Sequence, residues 1–298
     1  MATLRDIRSR VNSVKSIQKI TQAMKMIATA KLRKAQNMVE DSRPYFSKLS
    51  SSISTIIDSL GGEFVHPFLE KHEYIKNIAV IVISADKGMC GSFNTNLLRE
   101  ANLAISEQLP AEYPDANISV LPIGKKSISF FKKQNIQIIK EFVNITNNPE
   151  FPVVKSIIDP IKNSFILGEY DLVLIYSVKF LNILKQLPAK TQLLPFMPDT
   201  KNEIVKKDKY NTNFIFEPDK KLILNSLIPK LIDSIFWYSI LESNASEQAA
   251  RRVAMDNATT NASDLIDSLN LIYNNIRQSN ITREIIEIVS GANALKES

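Results

Sequence analysis

The chain has 298 residues, is 44% hydrophobic, and carries one cysteine, two histidines and a formal net charge of +6. That composition excludes a disordered tail, a disulfide framework within the chain, a Cys-cluster metal site and the usual His-rich sites. No run of about 18 apolar residues exists to span a membrane as a helix. Length alone suggests one or two domains.

The residues that break helices are unevenly placed. All 13 prolines lie between Pro44 and Pro229, and six of the seven glycines between Gly61 and Gly168, the seventh being Gly291. Residues 1–43 and 230–290 contain neither. Two long breaker-free ends around a breaker-rich middle predict terminal helices bracketing a compact domain. Charge divides the same way: residues 1–40 carry +7, the rest of the chain −1, and residues 230–298 carry −3. The two ends are electrically complementary.

At the N-terminus Leu4, Ile7, Val11 and Val14 recur at 3-4-3 spacing, and Ile17, Ile20, Met24 and Ile27 resume it. Between Val14 and Ile20 the steps are 3-3, which reads as a stammer in a narrow coiled-coil seam. Leu32, Ala35 and Met38 continue the stripe. A helix over 4–43 would be roughly 60 Å long.

The middle reads as α/β. Ile78–Ser84 is a continuous β-branched apolar run, as expected of a strand covered on both faces. Ile118–Ile123 and Asp171–Ser177 are similar, and Gln137–Glu141 is a further candidate strand. Asn94–Leu109 and Lys125–Gln134 read as helices between them. The alternation predicts a mostly parallel, doubly wound, Rossmann-like sheet. Asp199–Lys209 is polar and charged and reads as a mobile loop.

In the C-terminal segment Ala258, Ala262, Leu265, Leu269, Ile272 and Ile276 follow a 4-3-4-3-4 pattern, with Ala245, Ala249, Val253 and Ala254 upstream. A helix over 230–290 would be roughly 90 Å long. Neither long helix is stable alone, because helices in proteins depend on packing an apolar stripe. The predicted solution is an antiparallel coiled coil of the two ends. The expected organisation is therefore 1–60 as an N-terminal coiled-coil helix, 75–205 as an α/β domain and 206–298 as a C-terminal coiled-coil helix.

Chemistry-bearing motifs are sparse. There is no G-x-x-x-x-G-K-[ST] and no G-x-G-x-x-G; Gly124-Lys125-Lys126-Ser127 has only a superficial likeness to the former, since Ser119 stands where its first glycine belongs. Asp86–Asn94 follows the first strand at the usual ligand-binding position of such sheets. It reads as a tight turn around a small buried cysteine, with anion binding as the lesser alternative. Cys90 lacks a neighbouring base in sequence. Met24-Lys25-Met26 sets two thioethers around a cation, either as seam packing or as an adaptable surface. Three readings stay open from the residues alone: a structural coiled-coil adaptor, a nucleic-acid binder using the basic end, and a small α/β enzyme using the Gly88–Gly91 loop.

Several long motifs then resemble the gamma subunit of F-type ATP synthases. At the N-terminus they are Arg8–Lys15, Gln18–Met26 and Ala30–Gln36. At the C-terminus they are Ser246–Arg251, Ala254–Thr259 and Arg277-Gln278 with Ile281-Thr282 and Glu284–Gly291. Ser84–Asn94 and Gln192–Pro195 fit as well, so the likeness covers the whole chain. It implies a central rotor shaft that couples proton flow through a membrane ring to ATP synthesis or hydrolysis by rotation. The implied partners are three alpha and three beta subunits around one copy of this chain, an epsilon subunit and the c-ring, with no nucleic acid and no membrane contact of its own. Nucleotide chemistry would lie on beta, leaving this chain without catalytic residues, cofactor or metal.

Residue by residue, the resemblance places Met24 and Lys25 against the lever of a beta subunit and Arg277 and Gln278 against its catch loop. Arg251, Thr282 and Glu284 fall in the same contact belt. Arg252 departs from the usual apolar residue, Arg283 from Gln or Lys, and Ser92 from Gly. The expected location is the cytoplasmic face of a bacterial inner membrane, with no targeting leader. A lone Cys90 implies no thiol switch.

Overall fold

A computed structural model describes residues 3–60, 64–134, 136–197, 217 and 219–296 of the chain. The segment Asp199–Lys209, expected to be a loop, lies outside the described residues. Two compact units form, Met1–Ala28 with Arg252–Ser298 and Thr29–Arg251.

The larger unit is built on a five-stranded sheet of order β3-β2-β1-β4-β5. Its strands are β1 (Asn77–Ile83), β2 (Asn117–Ile123), β3 (Gln137–Ile138), β4 (Leu172–Phe180) and β5 (Gln186–Leu194). The first four are mutually parallel, and β5 runs antiparallel to β4. The residues of β1 alternate between two cores, as a period of two requires. Ala79, Ile81 and Ile83 face a core with Leu49, Ile53, Ile158, Phe165, Leu231 and Phe236. Ile78, Val80 and Val82 face a second core with Leu97, Ala101, Leu109 and Phe131. Each face is therefore covered by helices, as a parallel sheet requires. α1 (Leu4–Asp58), α5 (Phe151–Ile166) and α6 (Lys220–Lys296) supply the first core. α2 (Phe93–Leu103), α3 (Leu109–Glu112) and α4 (Lys125–Phe131) supply the second.

Both terminal helices outrun the breaker-free stretches 4–43 and 230–290 and lie within the wider bounds 1–60 and 206–298. α1 continues through Pro44 to Asp58, and α6 starts at Lys220, ahead of Pro229, and passes Gly291. An interior proline removes one hydrogen bond and crowds the preceding turn. Burial outweighs that cost here: Leu49, Ile53 and Ile56 follow Pro44 into the core, and Leu224, Ile228, Leu231 and Ile232 flank Pro229. At its start α1 is capped by Thr3 and Asp6. The Thr3 amide and hydroxyl donate to Asp6 Oδ2 at 3.0 and 2.8 Å, and the Asp6 amide donates back to Thr3 Oγ1 at 3.2 Å. These bonds hold the Asp6 carboxyl below its usual range.

The helix predicted over Asn94–Leu109 is α2 running into α3 through a π-helical turn at Ala104–Gln108. Pro110 sits in the first turn of α3 and has no N–H to donate to the Ser106 carbonyl four residues back, which interrupts the α ladder at this point. α4 is capped by Gly124, whose φ is +95° and whose added Cβ would lie 2.2 Å from the Ser84 carbonyl oxygen. Only glycine fits that crossing of β1 and β2 ends.

Candidate partner-contact surface

In the smaller unit α1 and α6 run antiparallel. Lys25 Nζ meets Asp256 Oδ1 at 2.5 Å, and Thr259 Oγ1 donates to Thr21 Oγ1 at 2.8 Å. Residues whose numbers add to about 280 therefore lie opposite one another.

The inward series on α1 is Leu4, Ile7, Val11, Val14, Gln18, Thr21, Lys25 and Ala28, all buried or half-buried. Its spacing is an unbroken 3-4-3-4-3-4-3. The expected stammer is absent: the seam passes through Gln18, Thr21 and Lys25. Ile17, Ile20 and Ile27, read from sequence as seam residues, point outward at 53, 59 and 58% exposure. The α6 seam is shifted in the same manner. It runs Met255, Thr259, Ala262, Ile266, Leu269, Tyr273 and Ile276, at 4-3-4-3-4-3. Ala262, Leu269 and Ile276 match the expectation, whereas Leu265 and Ile272 are 49 and 46% exposed. The physical reason is that the apolar residues of each helix fall on two adjacent stripes, of which one packs inside the pair, and on α1 that inner stripe turns polar at Gln18, Thr21 and Lys25. The other faces away, and Met26 at 63% exposure adds to it. Burying what remains exposed of each outer isoleucine would be worth on the order of 1 kcal/mol.

Six of the seven contact residues suggested by the resemblance lie in this unit. Met24 and Lys25 are half-buried on α1 beside the Asp256 turn. Arg277, Gln278, Thr282 and Glu284 are exposed on α6, past the point where α1 begins. Thr282 Oγ1 donates to the Gln278 carbonyl at 2.9 Å, and both lie on one face with Ile285. Arg277 and Glu284 share the next face with Ile281 and Ile288. From Asp256 to Arg277 is roughly 30 Å along the helix, so the six residues form two belts, not one site.

The seventh, Arg251, closes the larger unit. Its Nη1 donates to the Gly88 carbonyl at 2.6 Å, and its Nη2 donates to Glu247 Oε1 at 2.6 Å. Its side chain is 11% exposed and that of Glu247 3%. Burial raises the Glu247 carboxyl, against the pull of the Arg251 bond and charge.

The profile of the family described as ATP synthase matches residues 3–295. The chain is 41% identical over 296 residues to the ATP synthase gamma chain of Pelotomaculum thermopropionicum, covering 99% of this chain and all of the relative. It is 38% identical over 307 residues to that of Chloroherpeton thalassium, covering both chains completely. The chain belongs to the ATP synthase gamma-chain family. Solved structures agree in fold. A Euglena gracilis mitochondrial ATP synthase rotor aligns with a TM-score of 0.63 at 18% identity, over 93% of this chain and 98% of that one. A Tetrahymena thermophila central stalk and c-ring structure aligns at 0.58 and 24% identity, over 80 and 99%.

For a gamma-chain relative, the β1–α2 loop is the place where independent chemistry would be sought. A cavity of about 600 Å³ opens there, lined by Met89, Cys90, Leu98, Arg99, Lys126 and Phe130 among others. Cys90 is buried, and burial pushes its thiol up, partly opposed by the nearby Arg251 charge. Asn94 Nδ2 donates to its sulfur at 3.0 Å. Both histidines are bonded elsewhere. His66 Nδ1 accepts from the Phe68 amide, and His72 Nδ1 pairs with Asp171 Oδ1 at 2.6 Å beside the start of β1. His72 is thus at the opposite end of the strands from Cys90, roughly 20 Å away along a seven-residue strand. Cys90 thus has no histidine to act as its base. Among the described residues no helix is long and apolar enough to cross a membrane.

Glu247 and Asp86 are the site residues that sequence reasoning did not single out. Asp86 Oδ1 accepts from the Lys125 amide at 3.1 Å, and its Oδ2 accepts from the Asn144 amide at 3.0 Å. The partners of Asp86 lie 39 and 58 residues away, so no local pattern could reveal them, whereas Glu247 and Arg251 stand at i,i+4 spacing, the one local signal available.

Proposed function

We propose that this chain is the central shaft of an F-type ATP synthase, turning with a c-ring and driving three beta subunits in sequence. The observation that carries this reading is the second apolar stripe. A helix pair with a complete seam still presents Ile17, Ile20, Met26 and Ile27 outward, with Leu265, Ile272 and Ile281 on the other helix. Such a surface suits partners that surround the pair.

On this reading Met24 and Lys25 meet the beta lever, and Arg277, Gln278, Thr282 and Glu284 meet the beta catch loop. Arg251 belongs to the same motif set, but its guanidinium is occupied within the larger unit. The functional parts are 1–60, 75–205 and 206–298, the middle part resting on the c-ring with epsilon alongside. Exposed ion pairs are worth about 0–1 kcal/mol each, so charged contacts can break at every step. A rotor must contact each beta state differently, because only differential contacts bias an equilibrium. Bond making in ATP belongs to beta, and this chain carries no catalytic group. It sits at the cytoplasmic face of a bacterial inner membrane, held there by other subunits.

Reconstitution tests the proposal. Mixed with alpha and beta subunits, the chain is expected to give a complex of one copy per three alpha and three beta by native mass spectrometry. Mg-ATP hydrolysis should depend on its presence, and a probe on Thr29–Arg251 should rotate. A chain that stays apart from a competent alpha–beta preparation would overturn the reading.

A further inference from the structure

α6 passes from the larger unit to the smaller between Arg251 and Arg252. Its last three turns before that point are fastened to the α/β unit by polar bonds at helical spacing. Ser243 Oγ accepts from the Val178 amide at 3.2 Å, and Ser246 Oγ donates to the Val178 carbonyl at 3.1 Å. One turn on, Arg251 bridges Glu247 and the Gly88 carbonyl, with Nη2 also 3.5 Å from the Lys87 carbonyl. Ala245 and Ala249 are fully buried between these contacts, and such small side chains permit a close approach.

The loop that receives Arg251 is itself immobilised. Asp86 ties it to the amides of Lys125 and Asn144, and Asn94 Oδ1 accepts from the Ala85 amide at 3.0 Å. Met89 and Gly91 hold positive φ of 60° and 58°. Arg251 therefore grips a fixed part of the sheet end. Apolar contacts are non-directional and let a helix turn about its own axis. A buried guanidinium bonded to a fixed carbonyl and to a carboxylate on its own helix does not.

We infer that Arg251, oriented by Glu247, is a positioning residue that sets the rotation of α6 about its own axis against the β1–α2 loop. It thereby delivers torque between the coiled coil and the α/β unit. This assignment rests on the rotor reading. It gives Arg251 an internal task in place of a contact with beta. Loss of the grip should let α6 twist under load, so that ATP is hydrolysed with less ion transport per turnover.

The test uses the complete enzyme in inverted membrane vesicles, with this chain as wild type, Arg251→Lys or Arg251→Gln. Three quantities are read: ATP hydrolysis, ATP-driven proton uptake, and alkylation of Cys90 by N-ethylmaleimide, measured by mass spectrometry of this chain. Cys90 is a buried residue of the same loop. Its reactivity reports loop opening independently of activity, because only an accessible thiolate reacts. For Arg251→Gln, hydrolysis should fall by no more than about twofold, uptake per ATP by about threefold or more, and Cys90 alkylation should rise about tenfold. Arg251→Lys, which keeps one charged donor, should recover part of both changes and remains informative if the Gln variant does not assemble. Wild-type values of uptake per ATP and of Cys90 alkylation in assembled Arg251→Gln, or in Arg251→Lys where the Gln variant does not assemble, would overturn the inference. A loss of hydrolysis and uptake in equal proportion, with Cys90 unreactive, would return Arg251 to a contact with beta. Hydrolysis and uptake that persist without this chain would defeat the rotor reading instead.

Discussion

The seam register yields a sharp contrast between two neighbouring residues. Ile266 is 8% exposed and Leu265 is 49% exposed, although both are large, aliphatic and on the same turn of α6. Truncating a buried isoleucine to alanine costs about 2–5 kcal/mol through lost transfer energy and residual cavity. A two-helix seam can relax around the gap, which places Ile266→Ala near the lower end, at about 2–3 kcal/mol. Leu265 has half its surface in water already, so Leu265→Ala should cost the chain about 0.5–1 kcal/mol. Urea unfolding of the isolated chain, followed by circular dichroism at 222 nm, reads the difference directly. The order should reverse in binding: Leu265→Ala should weaken assembly with alpha and beta more than its effect on stability would suggest. Equal destabilisation by the two substitutions, or a larger loss for Leu265→Ala, would refute the register and restore the seam through Leu265 and Ile272.

Asp171 offers a pH test. Burial alone would raise its carboxyl, but the bonds from His72 and from the amides of Asn77 and Lys76 outweigh it and hold the group below its ordinary value. A depressed carboxylate stabilises the fold above its unfolded pKa and loses that contribution as pH falls through the folded one. Asp171→Asn should therefore cost about 1–2 kcal/mol at neutral pH, a gap that closes in acid below about pH 3.9; a gap that widens in acid would contradict the bonding. Gly124→Ala should prevent a stable α/β unit, because its Cβ would lie 2.2 Å from a backbone oxygen at a positive φ. Wild-type thermal stability of that variant would disprove the close approach. Turnover of the assembled enzyme should be the same with and without reductant, since the chain has one cysteine and it is buried. A large reversible change traced to this chain would show otherwise.

The strands of the parallel core were legible because their burial on both faces leaves uninterrupted runs such as Ile78–Ile83. β5 was not, because an edge strand with Pro188 and alternating polar residues lacks that signature. α5 escaped notice for a related reason: Pro152 and Pro160 mask an apolar face of Val154, Ile157, Ile161 and Phe165. The coiled coil was legible as an architecture and misread in register. A pattern of apolar residues shows that a face is buried, but not by what. Ile17, Ile20 and Ile27 carry the stronger hydrophobic signal and turn away from the partner helix, while Gln18, Thr21 and Lys25 turn toward it. The two groups of residues proposed to meet beta came from the family resemblance alone, since nothing in their spacing names a partner. The Arg251 bridge joins residues 163 apart in the chain and needed coordinates.

The polar stretch of the seam also fixes a length. A purely aliphatic coiled coil can creep by one heptad at small cost, whereas a few polar pairs hold a single setting. A slip of seven residues would bring Lys25 opposite Ala249 or Ser263, and Thr21 opposite Arg252 or Ile266, stranding Asp256 against Leu32 or Gln18. In the observed setting Lys25 meets Asp256 and Thr21 meets Thr259. The pair therefore behaves as a graduated rod with one locking notch. While the notch holds, the distance from notch to tip is fixed, and whatever reads the tip meets the same residues on every cycle.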